Sequence, residues 1–100
     1  MTAIAIGPTT RLAHAEDALH RTMEGEAVLV DLATGTYFGL NEVGTRIWER
    51  IGAEGGATVD EVAAALVEEF EVERPTAAKD ARDLLERLAA RGLVRVLPPA

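Results

Sequence analysis

One hundred residues, 48% hydrophobic and 27% charged, suffice for one hydrophobic core, so a single domain over 1–100 is expected, with its core at about 18–97 and a loose arm at 1–10. The net charge of −7 is spread over both halves of the chain, which removes the concentrated positive face that nucleic acid would require. The chain has no cysteine, which excludes a disulfide scaffold and thiolate chemistry. No apolar run approaches the ~18–20 residues of a membrane span, so a soluble, cytoplasmic protein without a membrane partner is expected.

Met1 to Gly7 is apolar and alternates weakly before Pro8-Thr9-Thr10, reading as a short strand or a loose arm. Arg11 to Met23 fits two patterns, since Leu12, Ala15, Leu19 and Met23 make a helical stripe in a segment that also tolerates a strand. If its second half pairs with the neighbouring Glu26 to Asp31, a three-stranded meander results: Ala18 to Met23, Glu26 to Asp31 and Thr36 to Leu40. Glu24-Gly25 would form the first turn and Ala33-Thr34-Gly35 the second, with Gly35 supplying the positive φ that such a loop needs. Asn41 stands where a helix N-cap belongs, and Val43, Ile47, Trp48 and Ile51 form one apolar face of a helix ending near Gly52.

Thr58-Val59-Asp60-Glu61 has the form of a capping box, which starts a second helix at Val59 with Val62, Ala63, Leu66 and Val67 on its stripe. A third helix is expected over about Pro75 to Arg91, with Ala77, Ala81, Leu84, Leu85 and Leu88 inward. Gly92 stops it in the left-handed conformation, and Leu93 folds back on Leu88. Leu93 to Leu97 reads as a last short strand. The expected fold is therefore α+β and winged helix-turn-helix-like, a three-stranded antiparallel sheet followed by three helices.

Chemistry is sparse. The chain has neither serine nor cysteine and a single lysine, Lys79, which sits on the expected outer face of the third helix. The commonest acyl-transfer nucleophiles are thus missing. His14 and His20 lack a third ligand at metal spacing, the pairs Asp60-Glu61, Glu68-Glu69 and Asp80 with Asp83 occupy solvated or capping positions, and no phosphate-binding glycine motif is present. No catalytic residue, metal or cofactor is expected. Tyr37 and Phe38 must face opposite sides of their strand, and one of them is placed to wall a pocket.

Val28-Leu29-Val30-Asp31-Leu32, Thr34-Gly35, Tyr37-Phe38, Leu40-Asn41, Gly44 and Trp48, followed by Asp80, Leu84, Leu85, Leu88 and Gly92-Leu93, resemble the PqqD-like family over roughly Glu26 to Val94. These are recognition elements for ribosomally made, post-translationally modified peptides. The resemblance implies a non-enzymatic domain that takes the leader region of a precursor peptide as an added strand on its third strand, against its third helix, and presents it to a modifying enzyme. The wording around Thr34 to Asn41 is most similar to free-standing members from lasso peptide pathways, where the client enzyme is a leader peptidase.

The residues support that reading independently. Thr36, Tyr37, Phe38, Gly39 and Leu40 form a short strand whose outer edge would accept main-chain hydrogen bonds from a peptide. At 100° per residue the third helix places Asp80, Leu84, Arg87 and Arg91 along one border of its apolar face, and Ala78, Arg82, Leu85 and Ala89 along the other. The first border is preferred as the groove wall because Leu84 offers an apolar anchor while Asp80 and Arg87 set register. The competing reading is a winged-helix transcriptional regulator, against which the mixed charges of the third helix stand. A monomer or weak dimer is expected, since an open edge also pairs with a second copy.

Overall fold

The computed structural model describes residues 6–98. Met1 to Ala5, part of the segment expected as a strand or loose arm, lie outside it. Ile6 is buried in the core, and the Pro8 carbonyl accepts from the Asp60 amide at 3.1 Å, so residues 6–10 run against the start of the second helix.

The meander forms as β2 (Ala18–Met23), β3 (Glu26–Asp31) and β4 (Thr36–Gly39), antiparallel in the order β2-β3-β4. The pattern Ala27 and Leu29 buried, Val28 exposed obeys the two-residue strand period. Gly35 closes the second turn at φ 71°, with its amide donating to the Asp31 carbonyl at 2.7 Å. The turn is tied further by Asp31, whose carboxylate accepts from the Ala33 amide and the Thr34 hydroxyl, each at 3.0 Å.

Helices α1 (Glu42–Ile51), α2 (Val59–Glu69) and α3 (Arg74–Ala90) come next. Asn41 caps α1 through the Gly44 amide at 2.8 Å. Thr58 and Glu61 close the capping box in both directions, at 3.0 and 3.1 Å. At the end of α3, Gly92 is left-handed and the Leu93 amide returns to the Leu88 carbonyl at 3.0 Å, as a Schellman-type stop requires.

A second sheet joins the ends of the chain: β5 (Ala57–Thr58), β1 (Arg11–His14) and β6 (Val94–Val96), in the order β5-β1-β6. Arg11 to His14 is therefore a strand, which settles the ambiguous segment against a helix. The strand after α3 pairs with β1 rather than forming its own hairpin, so the likeness to a winged helix is loose, while the α+β order of a meander and three helices holds.

One buried hydroxyl locks this arrangement. Beside the Ala27–Leu40 pair, Thr45 of α1 accepts from the Ala27 amide at 2.8 Å and donates to the Leu40 carbonyl at 3.5 Å. Thr45→Val conserves shape but strands a buried donor, so it is expected to cost about 1–3 kcal/mol, read as a lowered urea midpoint. An unchanged midpoint would mean that the bridge carries no stability.

The two sheets meet at an aromatic stack. The His14 ring lies parallel to Trp48 at 3.6 Å, His20 meets both edge-on, and His14 Nε2 donates to the Trp48 carbonyl at 2.7 Å. Burial holds the His14 imidazole below its ordinary value; the Trp48 carbonyl works against that and the neighbouring His20 adds to it. The unfolded chain therefore takes up the proton first, so His14 contributes fully above about pH 6.5 and its contribution is lost as pH falls through the lower, folded value. Urea midpoints at near-neutral pH and at about pH 5.5 should show this loss, and His14→Phe should flatten it. The same pH dependence in that variant would assign the effect elsewhere.

Candidate functional site

Among the described residues β4 is an edge strand, paired only with β3, and its ladder register decides which of its backbone groups are free. The Leu40 amide donates to the Ala27 carbonyl at 2.8 Å, and Leu29 stands opposite Phe38 and Asp31 opposite Thr36. In an antiparallel ladder bonded pairs alternate, so Leu40, Phe38 and Thr36 turn their amides and carbonyls toward β3. The N–H and C=O groups of Tyr37 and Gly39 consequently point off the sheet onto the open edge.

Side chains alternate with the same period. Phe38 and Leu40 turn toward the helices, and Leu40 is buried. Tyr37 lies on the outer sheet face, 72% exposed, in register with Val30 and, beyond it, Leu19. Of the two aromatics left open by the sequence, Phe38 is thus the one facing the helices.

Two hollows lie along this edge. The larger, about 510 Å³, is bordered by Phe38, Gly39 and Leu40 of the strand side, Val43 and Ile47 of α1, and Asp80, Leu84 and Arg87 of α3. The smaller, about 280 Å³, lies beyond Phe38 and includes Thr36, Asp31, Ala90 and Arg91. Phe38 is shared by both, and the Arg87 and Arg91 guanidinium carbons stand 6.0 and 5.0 Å from its ring centroid.

Of the residues singled out from sequence, Phe38, Gly39, Leu40, Asp80, Leu84 and Arg87 border the first hollow and Thr36 the second. Tyr37 borders neither and reaches the edge through its backbone alone. The helix border carrying Asp80, Leu84 and Arg87 is the one beside β4. Sequence reasoning left out Val43, Ile47 and Asp83 as contacts, and also Arg91, although it lay on the chosen border. Val43 and Ile47 carried a signal as members of the α1 stripe, but helical periodicity cannot say that part of a stripe opens into a groove.

The arrangement offers main-chain hydrogen bonding and apolar contact. Among the described residues no group of three or more His, Asp or Glu is placed to hold a metal ion, and no helix is long and apolar enough to cross a membrane.

Fold and groove together define a small α+β domain with a helix-lined channel along an open strand edge. The chain belongs to the PqqD family: the family model for coenzyme PQQ synthesis protein D matches residues 26–94. Among solved structures it is similar to TbiB1 in complex with the TbiA(beta) leader peptide, at 37% identity over 87% of this chain and 99% of that one, TM-score 0.75. It is also similar to lasso peptide synthetase B1 complexed with the leader peptide, at 27% identity over 88% of this chain and 99% of that one, TM-score 0.74. The PqqD truncation of Methylobacterium extorquens PqqCD, described as a functional, stand-alone recognition element for ribosomally synthesized and post-translationally modified peptides, shares the fold at 18% identity, covering 95% of this chain and 99% of that one, TM-score 0.78. No curated protein matches the sequence.

Proposed function

We propose that the chain is a non-enzymatic adaptor that captures the leader region of a ribosomal precursor peptide as a fourth strand on β4 and presents it to a processing enzyme, a lasso peptide leader peptidase. The observation that carries this reading is the open edge at Tyr37 and Gly39 beside the apolar channel of Phe38, Leu40 and Leu84. An incoming antiparallel strand completes those main-chain hydrogen bonds while its alternate side chains enter the channel, which is the way peptides are taken by strand addition. Two similar structures at 37% and 27% identity are bound to leader peptides, which supports the same ligand class here.

The adaptor works by positioning, with Thr36, Tyr37, Phe38, Gly39, Leu40, Asp80, Leu84 and Arg87 as the contact residues and no catalytic step of its own. It acts in the cytoplasm as a monomer or weak dimer, the bound peptide occupying the edge that a second copy would otherwise pair with. Titrating a labelled cognate leader peptide tests capture: saturable binding is expected, and its absence overturns the reading. Leader cleavage by a cognate leader peptidase should rise on adding the chain. Cleavage that is indifferent to it would remove the presentation step and leave capture standing.

A further inference from the structure

The channel is graded in charge from one end to the other. α3 passes β4 with Asp80 at the Gly39–Leu40 end, Leu84 between, and Arg87 then Arg91 at the Phe38–Thr36 end. α3 therefore runs opposite to β4, and an antiparallel added strand would run in the same direction as α3, entering at Asp80 and leaving at Arg91.

Arg87 and Arg91 lie over the Phe38 ring, a contact that leaves their charge without an acidic partner among the described residues. Lys79 takes Asp83 at 3.0 Å, so Asp83 is held by a cation on its own helix and is not spent on Arg87. Among the described residues Asp80, Arg87 and Arg91 form no ion pair, although other charges on the helices do: Arg46 with Glu69, Arg74 with Asp60. The other acids nearby do not cancel the pattern. Asp31, at the basic end, keeps its negative charge, since its carboxylate is bonded to neutral groups of its own turn, and it offsets one of the two arginines there; Glu86 shares with Arg87 a hollow that no β4 residue reaches.

The spacing also fits a strand. From Asp80 to Arg91 the helical rise is about 16 Å, with Leu84 about 6 Å along it. Alternate residues of a strand lie about 6.6 Å apart, so three of them on one face span about 13 Å, within reach of long side chains at both ends.

We infer that the groove selects a peptide by charge order: a Lys or Arg, then an apolar residue two positions on, then an Asp or Glu two further, with the basic residue against Asp80, the apolar one against Leu84 and Phe38, and the acidic one between Arg87 and Arg91. This rests on the strand-capture reading and adds direction and ligand chemistry to it. Arg suits the acidic position because its planar fork matches a carboxylate. The polarity also gives an incoming strand one favoured orientation, since the reverse places like charges together at both ends.

The test is selection from a displayed library of random dodecapeptides at low ionic strength, on the wild-type chain and on the double variant Asp80→Arg/Arg91→Glu, both checked by circular dichroism. Wild type should enrich basic-x-apolar-x-acidic over the reversed order by about fivefold, the size expected of two exposed ion pairs, and the double variant should invert the preference. Enrichment of strand-forming apolar peptides with no charge order, or an order unchanged in the double variant, overturns the charge-order inference while capture stands. No enrichment over a display blank overturns capture and charge order together.

Discussion

Replacing Phe38 with aspartate is expected to weaken leader binding by about thirtyfold, the scale of losing one central contact worth about 2 kcal/mol, while the protein stays folded. Phe38 is the one residue shared by both hollows, so it forms the continuous apolar wall between the anchor beside Leu84 and the basic end. Its backbone pairs with Leu29, and a side-chain change leaves that pairing in place. It is only partly buried against the core, and an aspartate would meet Arg87 and Arg91, the two cations now over the ring. The substitution therefore removes the wall and occupies the basic end at once. Phe38→Leu, which keeps an apolar wall, should lose far less. Leader titrations with circular dichroism controls measure this, and unchanged affinity in a folded Phe38→Asp protein would place the peptide elsewhere.

Trp48→Ala should produce the largest loss of stability, about 3–5 kcal/mol for a fully buried aromatic, against a total of about 5–15 kcal/mol for a domain of this kind. Trp48 is the largest fully buried side chain and is 1% exposed. It fills the space between the two sheets and stacks on His14 at 3.6 Å, so its removal opens a cavity where β1, β2 and α1 meet. The midpoint of thermal unfolding should fall by about 15 °C or more. Its indole N–H has no hydrogen-bond partner among the described residues, so Trp48→Phe gives up packing and should cost well under half as much. A Trp48→Ala midpoint within a few degrees of wild type would mean that the stack is not a keystone. Because α1 also supplies Val43 and Ile47 to the groove, the alanine variant should bind leader more weakly as its helix loosens.

The parts of this molecule legible in its sequence are those whose cause is local. Asn41, the Thr58–Glu61 box and Gly92 each satisfy backbone groups within a few residues, and each forms the cap or stop that its local sequence implies. The β2-β3-β4 meander was legible because its turns carry their own signals at Glu24-Gly25 and Gly35. The second sheet was only half legible, since β6 stood out as an apolar run but β5 is two residues long and β1 exists because Leu12 meets Ala57 on one side and Val96 on the other. Such pairing is set by distant chain and leaves little local pattern. The same limit applied to the site: periodicity gave two equivalent borders of α3, and only the packing of β4 against the helices distinguishes them. The roles of Tyr37 and Phe38 were likewise open until the Leu40–Ala27 hydrogen bond set the phase of the ladder.

The central claim, capture of a peptide on the β4 edge, is tested most directly by residue-resolved amide hydrogen exchange with and without saturating leader peptide. The Tyr37 and Gly39 amides point off the sheet in the free protein and should become strongly protected on binding. Phe38 and Leu40, already bonded to β3, should change little. Saturable binding that leaves Tyr37 and Gly39 exchanging as before would contradict strand addition.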